Sequence, residues 1–134
     1  MDIVPGVGVG PVNFGATMDE VKQALGEPDR TTGKALEYLS LGMAVIPSKR
    51  DGTVGVIMIG DGSGSYLVDR FRGATKEGIR MKSTRQEIVA AYGEPERSET
   101  EASGVEVLQY DSGRTRYTLK DGYLAHIALL PLRR

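Results

Sequence analysis

Two stretches, ALGEPDR at positions 24–30 and AYGEPER at 91–97, constrain this chain more than any other feature. Sliding the sequence by 67 residues places Thr17-Met18-Asp19-Glu20-Val21 on Thr84-Arg85-Gln86-Glu87-Ile88 and Ala24-Leu25-Gly26-Glu27-Pro28 on Ala91-Tyr92-Gly93-Glu94-Pro95. With a five-residue insertion, Leu36-Glu37-Tyr38 falls on Leu108-Gln109-Tyr110. Asp51-Gly52 then falls on Asp121-Gly122, each followed by an apolar stretch. Matches in one order along the chain indicate an internal repeat, which decides the fold before any local reading does. The sequence therefore predicts an α+β protein of two tandem α-β-β-β modules, residues 1–62 and 63–134, within one compact unit.

Each copy predicts one short helix with both ends marked. Thr17 with Glu20, and Thr84 with Glu87, form T-x-x-E capping boxes. In such a box the Thr hydroxyl takes an orphan N–H of the first turn and the Glu reaches back to the Thr N–H. Val21, Ala24 and Leu25 share one helix face, as do Ile88, Ala91 and Tyr92. Gly26 and Gly93 follow the last apolar residue, where a left-handed backbone costs glycine no Cβ strain. Pro28 and Pro95 come two residues later and cannot continue a helix. The repeated GEP is thus a stop signal, and its Glu a solvated residue beyond the helix end.

Three strand-like runs follow each helix: 36–41, 43–47 and 53–59 in the first copy, 105–110, 114–120 and 123–130 in the second. Asp51-Gly52 and Asp121-Gly122 are strong hairpin signals and Ser112-Gly113 a weaker one. GDGSGS at 60–65 reads as a connection, and YLVDRF at 66–71 as a short helix or strand. Strict alternation puts Ile57, Ile59, Ile127 and Leu129 on one side of an antiparallel sheet, under the helices. The opposite side would then carry Val54, Val56, Met58, Leu124 and His126, with Tyr38, Tyr110, Tyr117 and Tyr123 beside them. A water-facing antiparallel sheet usually alternates apolar with polar, and here neither side is plainly polar. The second face is expected to be covered by the other module, a second subunit or a partner protein, and these nine residues are the expected partner-binding set.

Composition narrows the function classes. The chain has 134 residues, 17 basic and 18 acidic, a formal net charge of −1 and no Cys. Disulfides, thiolate metal sites and cysteine nucleophiles are excluded, and a general nucleic-acid binder is not expected at this charge. No apolar run is long enough for a membrane span. The N-terminal MDIVPGVGVGPV has neither a basic nor an apolar leader region, so no signal peptide is expected in this sequence. The glycines of PGVGVGPVNFG at 5–15 lack the preceding strand, the immediate helix and the acid that a dinucleotide fingerprint needs. DGSGSYLVD at 61–69 has calcium-loop spacing but Arg72 where the acidic twelfth ligand belongs. His126, the one imidazole, lies in an apolar strand away from any nucleophile-elbow pattern. No catalytic, cofactor or metal residue is therefore assigned. Arg70, Arg72, Lys76, Arg80, Lys82 and Arg85 form a local positive stretch, read as solvated surface with the capacity to meet headgroups, nucleic acid or an acidic partner.

The capped helix ending in LGEP or YGEP, followed by a Tyr and a meander, resembles a known unit. It is similar to the helix-plus-meander module of the SmpA/OmlA-type outer-membrane lipoproteins and of the β-lactamase inhibitor protein. The residues that carry the likeness are Phe14-Gly15-Ala16-Thr17, Glu20-Val21, Leu25-Gly26-Glu27-Pro28 and Tyr38, with Ser83-Thr84, Glu87-Ile88, Tyr92-Gly93-Glu94-Pro95 and Tyr110 as their second set. The lipoproteins' lipid-bearing Cys and the inhibitor's disulfides have no counterpart here. The resemblance implies helices on one face of the sheet and a non-enzymatic, inhibitor-like protein-binding role, periplasmic, in the cell envelope or secreted. An obligate homodimer, or a small hydrolase or ligand carrier on the same fold, are the alternatives.

Overall fold

The computed structural model describes residues 1–62, 70–101 and 104–132. Most of the segment 61–69 and of the YLVDRF run lie outside the described residues. An N-terminal group of short strands, β1 (Asp2–Val4), β2 (Gly8–Val9) and β3 (Val12–Asn13), precedes helix α1 (Met18–Leu25). Then come β4 (Arg30–Thr32), β5 (Ala35–Tyr38), β6 (Met43–Pro47) and β7 (Val54–Gly60). After β8 (Ala74–Thr75) and helix α2 (Arg85–Tyr92) the order repeats as β9 (Arg97–Glu101), β10 (Val105–Tyr110), β11 (Thr115–Lys120) and β12 (Tyr123–Leu129).

The strands form two sheets, one of four strands in the order β3-β2-β1-β8 and one of eight in the order β4-β5-β6-β7-β12-β11-β10-β9. The large sheet is antiparallel throughout, and β1 with β8 is the parallel pair of the small one. Mixed α+β architecture with antiparallel sheets is therefore the fold of this chain. Three strands per helix were expected and four are found, because the edge strands β4 and β9 are exposed along their whole length. Their sequences, RTT and RSETE, carry no apolar alternation to read. Polar, charged edges of this kind resist pairing with other chains.

Both helices form where the caps dictate. The Glu20 and Glu87 N–H groups donate to the Thr17 and Thr84 hydroxyls, and each Glu carboxylate accepts the Thr N–H in return. These bonds hold both carboxyls below their ordinary pKa. Both helices stop at glycines with positive φ, +85° at Gly26 and +83° at Gly93. Their ψ values, −170° and −175°, depart from the left-handed helical cap expected. They occupy instead the extended positive-φ region that is almost closed to other residues. The freed carbonyls do not go unpaired: the Tyr38 hydroxyl donates to the Gly26 carbonyl and the Tyr110 hydroxyl to the Gly93 carbonyl, each at 2.8 Å. Tyr38 and Tyr110 are thus inward-facing ties between helix end and sheet, which explains why a Tyr follows each GEP.

The two halves of the large sheet meet at β7 and β12, where Ile59 faces Ile127 and Ile57 faces Leu129. All four are inaccessible and belong to one core with Val21 of α1, Ile88 of α2 and Ile3, Val9 and Val12 of the small sheet. Burying each such side chain is worth about 1.5–3 kcal/mol, so the seam is a principal source of stability. In the second half Tyr92, Tyr110 and Tyr117 pack as a ring cluster with centroids 5.6–5.9 Å apart. Burial raises the Tyr117 phenol well above its ordinary pKa, so it stays neutral.

Candidate protein-binding face

The side of the large sheet away from this core is set by register. Arg30, Glu37, Ala44, Met58, Ala128, Arg116 and Gln109 stand opposite one another in turn, one per strand, and make a continuous cross-sheet row. Ile46 pairs with Val56 on one flank of this row, and His126, Thr118 and Val107 pair on the other. Ile46, Val56, Met58, Ala128 and Val107 all keep partial exposure, in contrast to the sealed seam residues beneath them. The middle of the face is therefore aliphatic and its margins are charged.

At one margin Glu37 is only 5% exposed. It accepts two hydrogen bonds from the Arg30 guanidinium, at 2.9 and 3.1 Å, and a third from the Thr32 hydroxyl. Arg30 first, then Thr32, hold its carboxyl below the ordinary range. A fork-to-fork pair of this kind is rigid and specific in geometry. At the His126 corner the Asp61 side chain is 1% exposed and receives the Lys82 ammonium at 2.6 Å. Burial pushes the His126 imidazole pKa down, while the Asp61 carboxylate pulls the other way and does not prevail.

That direction gives a testable sign. Unfolded His126 takes its proton near pH ~6.5, whereas in the fold it takes it at lower pH. The unfolded state binds more protons in this window, so stability falls as pH drops through and below ~6.5. His126→Gln is expected to flatten the stability–pH curve between about pH 7 and 5 while leaving the steeper acid loss from carboxylates, measured by urea melts at several pH values. An unchanged slope would mean that His126 is not the titrating group.

Of the nine residues expected to meet a partner, Val56, Met58 and His126 lie partly exposed on the outer face, and Tyr123 is 53% exposed at the start of β12. Tyr38, Val54, Tyr110, Tyr117 and Leu124 are instead buried in the core. The tyrosines point inward because their rings fill the space beneath the helix ends. Val54 and Leu124 are turned over by two β-bulges. Ile46 pairs with Val56 but Pro47 with Val54, so Gly55 is the extra residue in β7. Thr118 pairs with His126 but Leu119 with Leu124, so Ala125 is the extra residue in β12. A bulge breaks the two-residue period and reverses every side chain before it. Strict alternation missed Ile46, Val107 and the Arg30–Glu37 pair, although the Arg-Thr-Thr run beside a lone Glu in an apolar strand was a usable signal. Among the described residues no group of three His, Asp or Glu side chains is placed to hold a metal ion. No helix among them is long and apolar enough to cross a membrane.

No protein-family model and no curated protein matches the chain. Among solved structures it is similar to the crystal structure of a DUF4309 family protein, YjgB, from Bacillus subtilis subsp. subtilis str. 168. The match has a TM-score of 0.63 and 18% sequence identity, and covers 94% of this chain and 88% of that one. At that identity the likeness concerns the fold alone.

Proposed function

We propose that this chain is a non-enzymatic, inhibitor-like protein-binding module that engages a protein partner through the outer side of its eight-stranded sheet. The observation that carries the reading is the partly exposed aliphatic stripe of Ile46, Val56, Met58 and Ala128, framed by the Arg30–Glu37 pair and by Arg116. An apolar centre with a charged rim is the anatomy of protein interfaces rather than of solvated sheets. The stripe spans β6, β7 and β12, and so both halves of the sheet. We read those halves as tandem α/β modules, since the capped helix, the tyrosine tie, the bulge and the seam strand occur once in each. A place in the cell envelope or outside the cell follows from the resemblance to the outer-membrane lipoproteins and the inhibitor.

Met58→Asp is the direct test. A carboxylate desolvated at the centre of an interface is expected to weaken association by about 2 kcal/mol or more, roughly thirtyfold. Because Met58 is part-exposed, the melting temperature should fall only slightly. Unchanged association in a folded variant would remove this face from the binding site. Sedimentation of the wild type tells the homodimer alternative apart, since mutual burial of two such faces predicts a dimer that Met58→Asp dissociates.

A further inference from the structure

Residues 70–74 and 80–82 face one another across a cleft of about 510 Å³. Arg70, Arg72, Arg80 and Lys82 line it. Lys82 is committed to the buried Asp61, and Arg85, the last cation of the same stretch, to Glu106. Arg72 and Arg80 are exposed and make no ion pair among the described residues. Two planar guanidiniums on one small cleft suit a pair of carboxylates, each of which a guanidinium can grip through two parallel hydrogen bonds.

The backbone of one wall is unusual as well. Lys82 has φ +74°, a left-handed backbone that a lysine seldom adopts. The residue 67 positions earlier is Gly15, with φ +91°. A glycine therefore serves this turn in the first half, and the lysine in the second is held against its backbone preference. The side chain gained at that cost is the one that pairs with the buried Asp61, so the ion pair fixes one wall of the cleft.

The cleft also joins the outer face. The Phe71 N–H donates to the Gly60 carbonyl and the Asp61 N–H to the Ala125 carbonyl, while Gly60 stands opposite His126. We propose that this cleft receives an acidic polypeptide segment, the flank of the same protein partner whose apolar patch covers the sheet, so the assignment of the segment rests on that reading. Asp2, opposite Ala74, and Glu87, which feels the charge of Arg80, interrupt the positive region. An extended polyanion such as nucleic acid, or an anionic membrane, is held best by a continuous positive field, which a patch bounded by these two acids does not offer. A short peptide needs only the slot.

The test is an amide NMR titration of the whole chain at low salt with a blocked Asp/Glu peptide. Pyrophosphate, duplex DNA and phosphatidylglycerol vesicles serve as parallel probes. Saturable shifts confined to residues 70–74 and 80–82 are expected, lost when salt shortens the screening length. The Arg72→Glu, Arg80→Glu double variant should bind at least about tenfold more weakly, with the rest of its spectrum unmoved as proof of folding. Shifts elsewhere, no shifts, undiminished binding by the double variant, or tighter binding of pyrophosphate, DNA or vesicles would each overturn the proposal. Met58→Asp should bind the peptide as the wild type does. A failed titration thus leaves the sheet face standing, and failure of the sheet face leaves the titration interpretable.

Discussion

Ile127→Ala is expected to destabilise the protein by about 2–5 kcal/mol, the range for truncating a sealed aliphatic side chain. Ile127 is inaccessible, faces Ile59 across the seam and Tyr117 on its other side, and so has rigid neighbours that cannot collapse into the void. Domains of this kind are stable by only about 5–15 kcal/mol, so the loss is a large fraction of the total. Because the seam joins both halves of one sheet, urea unfolding should stay a single transition shifted to lower denaturant. A loss below about 1 kcal/mol, or two separated transitions, would show that β7 and β12 do not weld the halves together.

Gly93→Ala should cost about 1–3 kcal/mol, more than a left-handed cap alone would. At φ +83° and ψ −175° an L-alanine is strained, although no atom stands within 4 Å of where its Cβ would sit. The penalty is therefore conformational rather than steric crowding by neighbours. Relief by rotating the peptide is opposed, because the Gly93 N–H donates to Val89 and its carbonyl accepts from Tyr110. Gly26→Ala should behave alike, since its backbone angles, its empty surroundings and its Tyr38 tie are the same. Thermal melts of the two single variants test this together, and a cost near zero for either would contradict the geometry of the repeated stop signal.

Local chemistry was legible wherever it is written in residue type. The Thr and Glu of each capping box, the stop at Gly26 and Gly93 and the hairpins at Asp51 and Asp121 can each be read from a few letters, because the interactions span a few residues. The seam quartet of Ile57, Ile59, Ile127 and Leu129 was also readable, since all four lie beyond the bulges in β7 and β12. What failed depends on partners distant in sequence. The extra residues Gly55 and Ala125 look like ordinary strand positions, and only the neighbouring strands reveal that two residues oppose one. Val54 and Leu124 were misplaced for that reason. Tyr38, Tyr110 and Tyr117 were read as interface side chains because amphipathic rings suit interfaces. Their hydroxyls are instead satisfied within the fold, and that required knowing that a helix end stands above each of the first two. The small β1–β3 and β8 sheet escaped notice because strands of two or three residues leave no period to detect.

The proposed docking on the outer sheet face has a natural reporter. The chain holds five methionines, among them Met58 on that face, Met43 in the core and Met18 on α1. With methionine methyl groups labelled with carbon-13, their NMR signals are followed as a protein partner is added or as the chain itself is concentrated. Docking on this face predicts that the Met58 methyl shifts and broadens while Met43 and Met18 stay in place. A perturbed Met18 beside an unmoved Met58 would put the partner on the helical side and contradict it.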